Sequence, residues 1–130
     1  GVSVFCPHTS LDAVPGGIND WLAKVVSTKD AFAQLESDEA LQSLRSEVHP
    51  FLSKAKDAPQ GYEAAGLGRL VQLKEAQSFE EIVRRVKQNL DLPHVQGLKG
   101  SDKPISTIAI CAGSGSVVFS GVKADLCTFE

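Results

Sequence analysis

A histidine and an aspartate stand four residues apart, His8 and Asp12, in the stretch CPHTSLDAVPGG at residues 6–17. Imidazole nitrogen and carboxylate oxygen are donors from which zinc, iron and manganese sites are built. On a helix, positions i and i+4 share a face, so the two side chains would point the same way. Two donors do not complete a site, because a first-row metal takes more ligands than that. On spacing alone the plainer reading is a turn, with Asp12 as its cap and His8 in solvent. His49 precedes Pro50 in a polar region and His94 follows Pro93. Neither has ligand spacing to the other or to His8.

The second stretch is CAGSGS, residues 111–116. A strand followed by Gly113, Ser114, Gly115 and Ser116 and then a helix can aim backbone N–H groups at an anion. Three familiar glycine patterns are absent. A dinucleotide fingerprint needs GxGxxG, a phosphate loop needs GxxxxGK[ST], and a nucleophile elbow needs GxSxG, where Ala112 stands two residues before Ser114. A tight strand-to-helix turn in which glycine supplies positive φ explains the same residues equally well.

Other polar residues read more plainly. Arg84, Arg85 and Lys87 lie on the polar part of a helix and read as a solvated face, as do Asp38, Glu39 and Glu47. Arg69, set among apolar strand residues, is of a type that could ion-pair near a site. Cys6, Cys111 and Cys127 are widely spaced with no CxxC among them. All three sit in apolar runs and read as buried free thiols.

These residues need elements to hold them. VSVFC, residues 2–6, is apolar and β-branched and predicts a buried strand ended by Pro7. INDWLAKVV, 18–26, places Ile18, Trp21, Leu22 and Val25 at helical spacing. Residues 27–60 are polar, with Phe32, Leu35, Leu41, Leu44, Val48, Phe51 and Leu52 at mostly helical intervals. They predict one or two amphipathic helices, with Pro50 as a break and a loop over 56–61. GLGRLVQL, 66–73, predicts a strand. SFEEIVRRVKQNL, 78–90, predicts a helix opened by a Ser78–Glu81 capping box, with Phe79, Ile82, Val83, Val86 and Leu90 as its apolar stripe. A weak strand at 94–98, a turn at 99–104, a buried strand at 106–111, a short helix within 117–122 and a last strand at 124–129 complete the pattern. Alternating short strands and helices predict an α/β fold: one layered domain over 1–130, with a mixed, partly parallel sheet flanked by helices.

The chain has 130 residues and a formal net charge of −3, with 13 Lys and Arg against 16 Asp and Glu. That balance argues against direct nucleic-acid binding. No apolar run approaches the roughly 20 residues that span a bilayer, and no secretory leader is visible. An intracellular, cytoplasmic setting is expected, with mitochondrion or nucleus as alternatives.

Three of these stretches, in order, resemble the Nif-three-like family, also described as GTP cyclohydrolase I type 2 homologs. VFCPHTSLDAVPGGINDWLA resembles its strand, His-Thr-x-x-Asp and Asn-Asp-Trp-Leu-Ala signature. GLGRLVQLKEAQSFEEIVRRVKQNLDLPHVQ resembles its Gly-x-Gly-Arg strand and the helix after it. IAICAGSGSVVFSGVKADL resembles its Cys-Ala-Gly-Ser-Gly-Ser turn and following Ala-Asp-Leu. Together they cover more than half of the chain.

The resemblance implies a duplicated α/β domain around a dinuclear centre of divalent metal, assembled as an oligomeric ring. It implies Asp12 as a metal ligand, His8 beside the metals, and the Gly113–Ser116 turn near the same cavity. Hydrolysis of a nucleotide-like or phosphorylated substrate would suit such a centre. The family's name implies a protein partner connected with transcription. The chain also departs from the pattern. The family's upstream His-His pair and downstream Gly-His-x-x-Ser/Thr-Glu segment have no counterpart here. Ala-Asp-Leu-Tyr-x-Thr-Gly-Glu is replaced by Ala-Asp-Leu-Cys-Thr-Phe-Glu at 124–130. Residues 27–60 stand where many relatives carry a longer inserted domain. The expectation is therefore a partial member with an incomplete metal site. It would act either as a hydrolase-like half-site or as a non-catalytic interaction module, with residues 31–55 as a recruiting surface.

Overall fold

The computed structural model describes residues 1–27, 51–63, 65–113 and 115–129. The predicted helices between 28 and 50, His49, and Asp38, Glu39 and Glu47 lie outside the described residues.

The framework is a three-stranded mixed sheet. Strand β3 (Arg69–Gln77) runs antiparallel to β4 (Ile105–Cys111), and β4 runs parallel to β5 (Leu126–Phe129). Val71 stands opposite Ile108, and Ile108 opposite Leu126. The α/β class with a mixed, partly parallel sheet is therefore as the sequence predicts. Strand β3 alternates, burying Val71 and Leu73 while Gln72 and Lys74 face outward, and a register shift comes after Gln72. Strand β4 is central, and Ile108, Ala109, Ile110 and Cys111 are all buried, so its sequence has no polar alternation.

Two helices pack on this sheet. Helix α2 (Ile18–Ser27) buries Leu22, Ala23, Val25 and Val26; it comes after a single-turn α1 (Thr9–Ala13). Helix α3 (Phe79–Asn89) begins at Ser78, whose Oγ accepts the Glu81 backbone N–H at 3.1 Å, as the capping box requires. Ile82 of α3 meets Leu22, Ala23 and Val26 of α2 over Val71, Leu73, Ile105, Ile108 and Ile110, with Trp21, Phe79 and Val86 at the margin. A small ladder, β1 (Ser53–Lys54) with β2 (Gly66–Leu67), adjoins β3. Phe51 and Leu52, whose spacing suggests a helix, instead lead into β1, and the Phe51 ring lies against the face of Gly66. Gly68, at φ 65°, breaks the predicted 66–73 strand into β2 and β3.

Two predicted strands do not form. Residues 2–6 form no strand and join no described ladder, with Val2, Val4 and Phe5 at 92%, 90% and 86% exposure and Cys6 exposed. A β-branched apolar run becomes a strand only with a ladder partner, and none of the described strands lies beside it. Residues 94–98 also join no ladder. Gly97 instead rests on the Phe79 ring, so close that a Cβ there would come within 2.7 Å of Cζ. Cysteine burial is corrected in the same way: Cys111 is buried, whereas Cys6 and Cys127 are exposed.

Candidate functional site

His8 is the residue before α1, and Asp12 lies within that single turn. His8 has φ 36° and ψ −120°, a backbone an L residue holds only where its surroundings impose it, at a cost of about 1–3 kcal/mol. Its Nδ1 is 3.0 Å from the Thr9 Oγ1. That contact engages one ring nitrogen, and imidazoles bind metals through the other nitrogen when one is held in this way. Asp12 does not cap the helix. Its backbone carbonyl accepts a bond from Asn19, and its carboxylate takes no donor among the described residues. His8 is exposed and Asp12 half-buried. Among the described residues no three His, Cys, Asp or Glu side chains converge as a metal cage. His94 is exposed and distant in the chain from this turn.

The His8–Asp12 turn sits where it does because of a close approach at Gly17. A Cβ on Gly17 would overlap the Leu11 carbonyl oxygen and lie 2.9 Å from that of Val14, so only glycine lets α1 fold back onto the start of α2. The turn is then held by three residues that the pattern of apolar spacing does not reveal. Asn19, fully buried, donates from Nδ2 to the Asp12 carbonyl at 2.8 Å, and its Oδ1 accepts the Ala112 N–H at 2.8 Å. Asp20 accepts the Gly16 N–H at 2.8 Å and pairs with Arg69 at 2.7 and 3.1 Å. Arg69 also donates to the carbonyls of Gly66, Gly68 and Val14. Arg69 thus does ion-pair beside the candidate turn, and every buried polar side-chain atom described has a partner.

The second predicted segment enters the same neighbourhood from the end of β4. Burial pushes the Cys111 thiol up, the Asp12 carboxylate adds to that shift, and the Arg69 guanidinium opposes it. Ala112 N–H is already bonded to Asn19. Gly113 turns the chain with φ 69°, and a five-residue 3-10 turn, Gly115–Phe119, comes next. Ser114 lies outside the described residues, as does the Ser116 side chain. The Ala-Asp-Leu beyond it is structural: Asp125 accepts the N–H groups of Ser106 and Thr107 at 2.8 and 2.9 Å and the Thr107 hydroxyl at 3.0 Å. Those donors hold its carboxyl below the usual range.

The polar face of α3 needs one correction. Arg84 and Lys87 are exposed, as expected, but Arg85 is buried. It reaches across to the carbonyls of Val26 and Ser27 at 3.0 and 3.2 Å, closing the C-terminal end of α2. An arginine can serve this end because its fork satisfies several carbonyls at once.

The family model Duf34/NIF3 (NGG1p interacting factor 3) matches residues 1–127. The chain belongs to this family. NGG1-interacting factor 3 of Saccharomyces cerevisiae is 34% identical over 97% of the chain, and the match covers 40% of that protein. The GTP cyclohydrolase 1 type 2 homolog of Streptococcus pneumoniae is 28% identical over 95% of the chain and 38% of its own length. The crystal structure of Staphylococcus aureus hypothetical protein SA1388 superposes with a TM-score of 0.60 at 21% identity, over 93% of this chain and 46% of that one. The chain therefore spans between about a third and a half of the length of the curated relatives it matches, 40% of the yeast protein and 38% of the streptococcal one. No described helix is long and apolar enough to cross a membrane.

Proposed function

We propose that this chain carries part of a divalent-metal centre of the NIF3 family, with His8 and Asp12 as donors to zinc, iron or manganese. The observation that carries the reading is the His8–Asp12 turn itself. One imidazole nitrogen is held by Thr9, the carboxylate is unclaimed among the described residues, and the turn is fixed by partly buried bonds to α2 and β3. The donor set suits a first-row metal but is only part of one, so the remaining ligands come from the rest of a full-length protein or from a second copy. Bound metal would supply Lewis acidity toward phosphate or carbonyl oxygens and would activate water near neutral pH. A nucleotide-like or phosphorylated substrate agrees with that chemistry and with the name of the streptococcal relative. In this reading His8 and Asp12 bind, while Arg69, Asp20 and Asn19 keep the turn in place. The setting is cytoplasmic, with mitochondrion or nucleus as alternatives.

The test is metal content per chain by mass spectrometry, on protein purified without chelator or nickel, beside Asp12→Asn. About one metal per chain in the wild type, lost in the variant, supports the reading; no metal in either removes it for this chain.

A second reading is a non-catalytic interaction module. It is favoured by the nearly full exposure of Val2, Val4 and Phe5 and by the name of the yeast relative, an interacting factor. Contiguous exposed apolar side chains mark association surfaces. This reading expects a homo-oligomer or a transcription-related protein partner. Light scattering after gel filtration that shows a clean monomer at high concentration would count against self-association.

A further inference from the structure

We propose that Asn19 is a positioning residue that locks the His8–Asp12 turn to the end of β4, so that the two candidate segments open and close as one unit. The part of this inference that concerns metal rests on the metal-centre reading above. Asn19 lies seven residues from Asp12 and 93 from Ala112, and its side chain is fully buried. One amide touches both: Nδ2 donates to the Asp12 carbonyl and Oδ1 accepts the Ala112 N–H, each at 2.8 Å. The two bonds fix the orientation of the amide, since a flipped group would face donor with donor and acceptor with acceptor. Both bonds are partly buried and the Asn19 amide itself is enclosed, so leaving it unpaired is costly.

The turn has other anchors, but they serve other ends. Asp20 holds the Gly16 N–H, and Arg69 holds the Val14 carbonyl. Both fix the loop leading into α2. Among the bonds described, only the Asn19 amide ties the residue bearing the Asp12 carboxylate directly to the CAGSG segment. Its loss should free both segments together and leave the rest of the sheet closed.

The test compares the full chain as wild type, Asn19→Ala, which removes both bonds, and a control, Asn89→Ala. Asn89 donates from Nδ2 to the Val25 carbonyl at 2.9 Å at the opposite end of α2 and is equally buried, so the control loses the same kind of bond away from the candidate turn. Hydrogen exchange by mass spectrometry reads peptides over 8–13, 111–119 and 69–89. Asn19→Ala is expected to raise exchange about tenfold in both of the first two and leave the third unchanged. The control should leave the first two protected. Opening of one segment alone, or equal opening in the control, overturns the proposal. If Asn19→Ala fails to fold, Asn19→Ser, whose shorter side chain cannot span both groups, is read identically.

A second arm titrates the three proteins with cobalt(II) and monitors its visible absorption. Asn19→Ala should weaken cobalt binding about tenfold relative to the control at matched stability, since a loosened ligand turn binds less well. Coupled opening with unchanged cobalt affinity overturns the positioning role. A wild-type chain that gives no cobalt spectrum removes the metal-centre reading instead, and the exchange pattern alone then decides the lock.

Discussion

Arg69 and Asp20, 49 residues apart, form a buried ion pair at 2.7 Å in which each side chain is 1% exposed. Arg69 fans out from it to three backbone carbonyls, and Asp20 takes the Gly16 N–H. The pair joins the start of α2 to the first residue of β3 and holds the loop between the candidate turn and α2. A fully paired buried network of this kind gives fixed geometry more than it gives net stability.

Breaking one side of this pair should therefore be severe. Asp20→Ala is expected to cost about 3–5 kcal/mol, because it strands a buried guanidinium. Arg69→Met should cost a similar amount through the carbonyls it leaves unpaired. The double variant should lose clearly less than the sum of the two. Urea denaturation of the two single variants and the double variant measures the difference.

Gly17→Ala is a small change with a large expected effect. The new methyl group would overlap the Leu11 carbonyl oxygen, a backbone atom that cannot swing away. Either α1 moves or the fold is strained, at about 1–3 kcal/mol. Thermal unfolding should show the loss. Amide NMR shifts concentrated at residues 8–20 would show that α1 has moved.

Acid sensitivity has a definite origin on α3. Arg84 and Arg85 grip Glu81 at 2.9 and 3.0 Å and hold its carboxyl at about 2, against the ordinary 4.5. A carboxylate with a lowered folded pKa stabilises the fold above its unfolded pKa. That contribution fades as pH falls from about 4.5 to about 2. Glu81→Gln should lower Tm above about pH 4.5, where that contribution is fully present, and converge on the wild type as pH falls toward about 2, which flattens the fall in Tm with acid. Tm scans between pH 2 and 7 decide it.

Metal should report on Asp12 through stability as well as composition. Zinc or manganese at about a hundred times its Kd should stabilise the chain by about 2.7 kcal/mol. Chelator should reverse that gain, and Asp12→Asn should show none. An equal Tm rise in the variant would mean that the ion binds elsewhere.

Local chemistry was legible wherever a contact spans few residues. Ser78 and Glu81 announce the start of α3 because a capping box needs only three residues of spacing. The apolar run at 106–111 announces a central strand because every one of its side chains from Ile108 onward is enclosed. The Gly68 break between β2 and β3 was not legible. It depends on β1 pairing with β2 and on the carbonyl of Ile110 lying 2.9 Å from where a Cβ would stand.

The sequence by itself determined the α/β pattern, the capped helix, the order of the three family segments and the four-residue spacing of His8 and Asp12. Only the tertiary structure decided which polar residues became the frame. Arg85 has the same charge and nearly the same position as Arg84. It is buried because the open carbonyls of Val26 and Ser27 lie on its side of the helix. Val2–Phe5 has the composition of a strand and is exposed because no described strand lies beside it. Asn19 reads as an ordinary polar position on a helix. It becomes the link between two distant segments because folding brings Ala112 within 2.8 Å of its amide oxygen. Propensity and apolar spacing act over a few residues, whereas the partner that satisfies a buried polar group comes from anywhere in the chain.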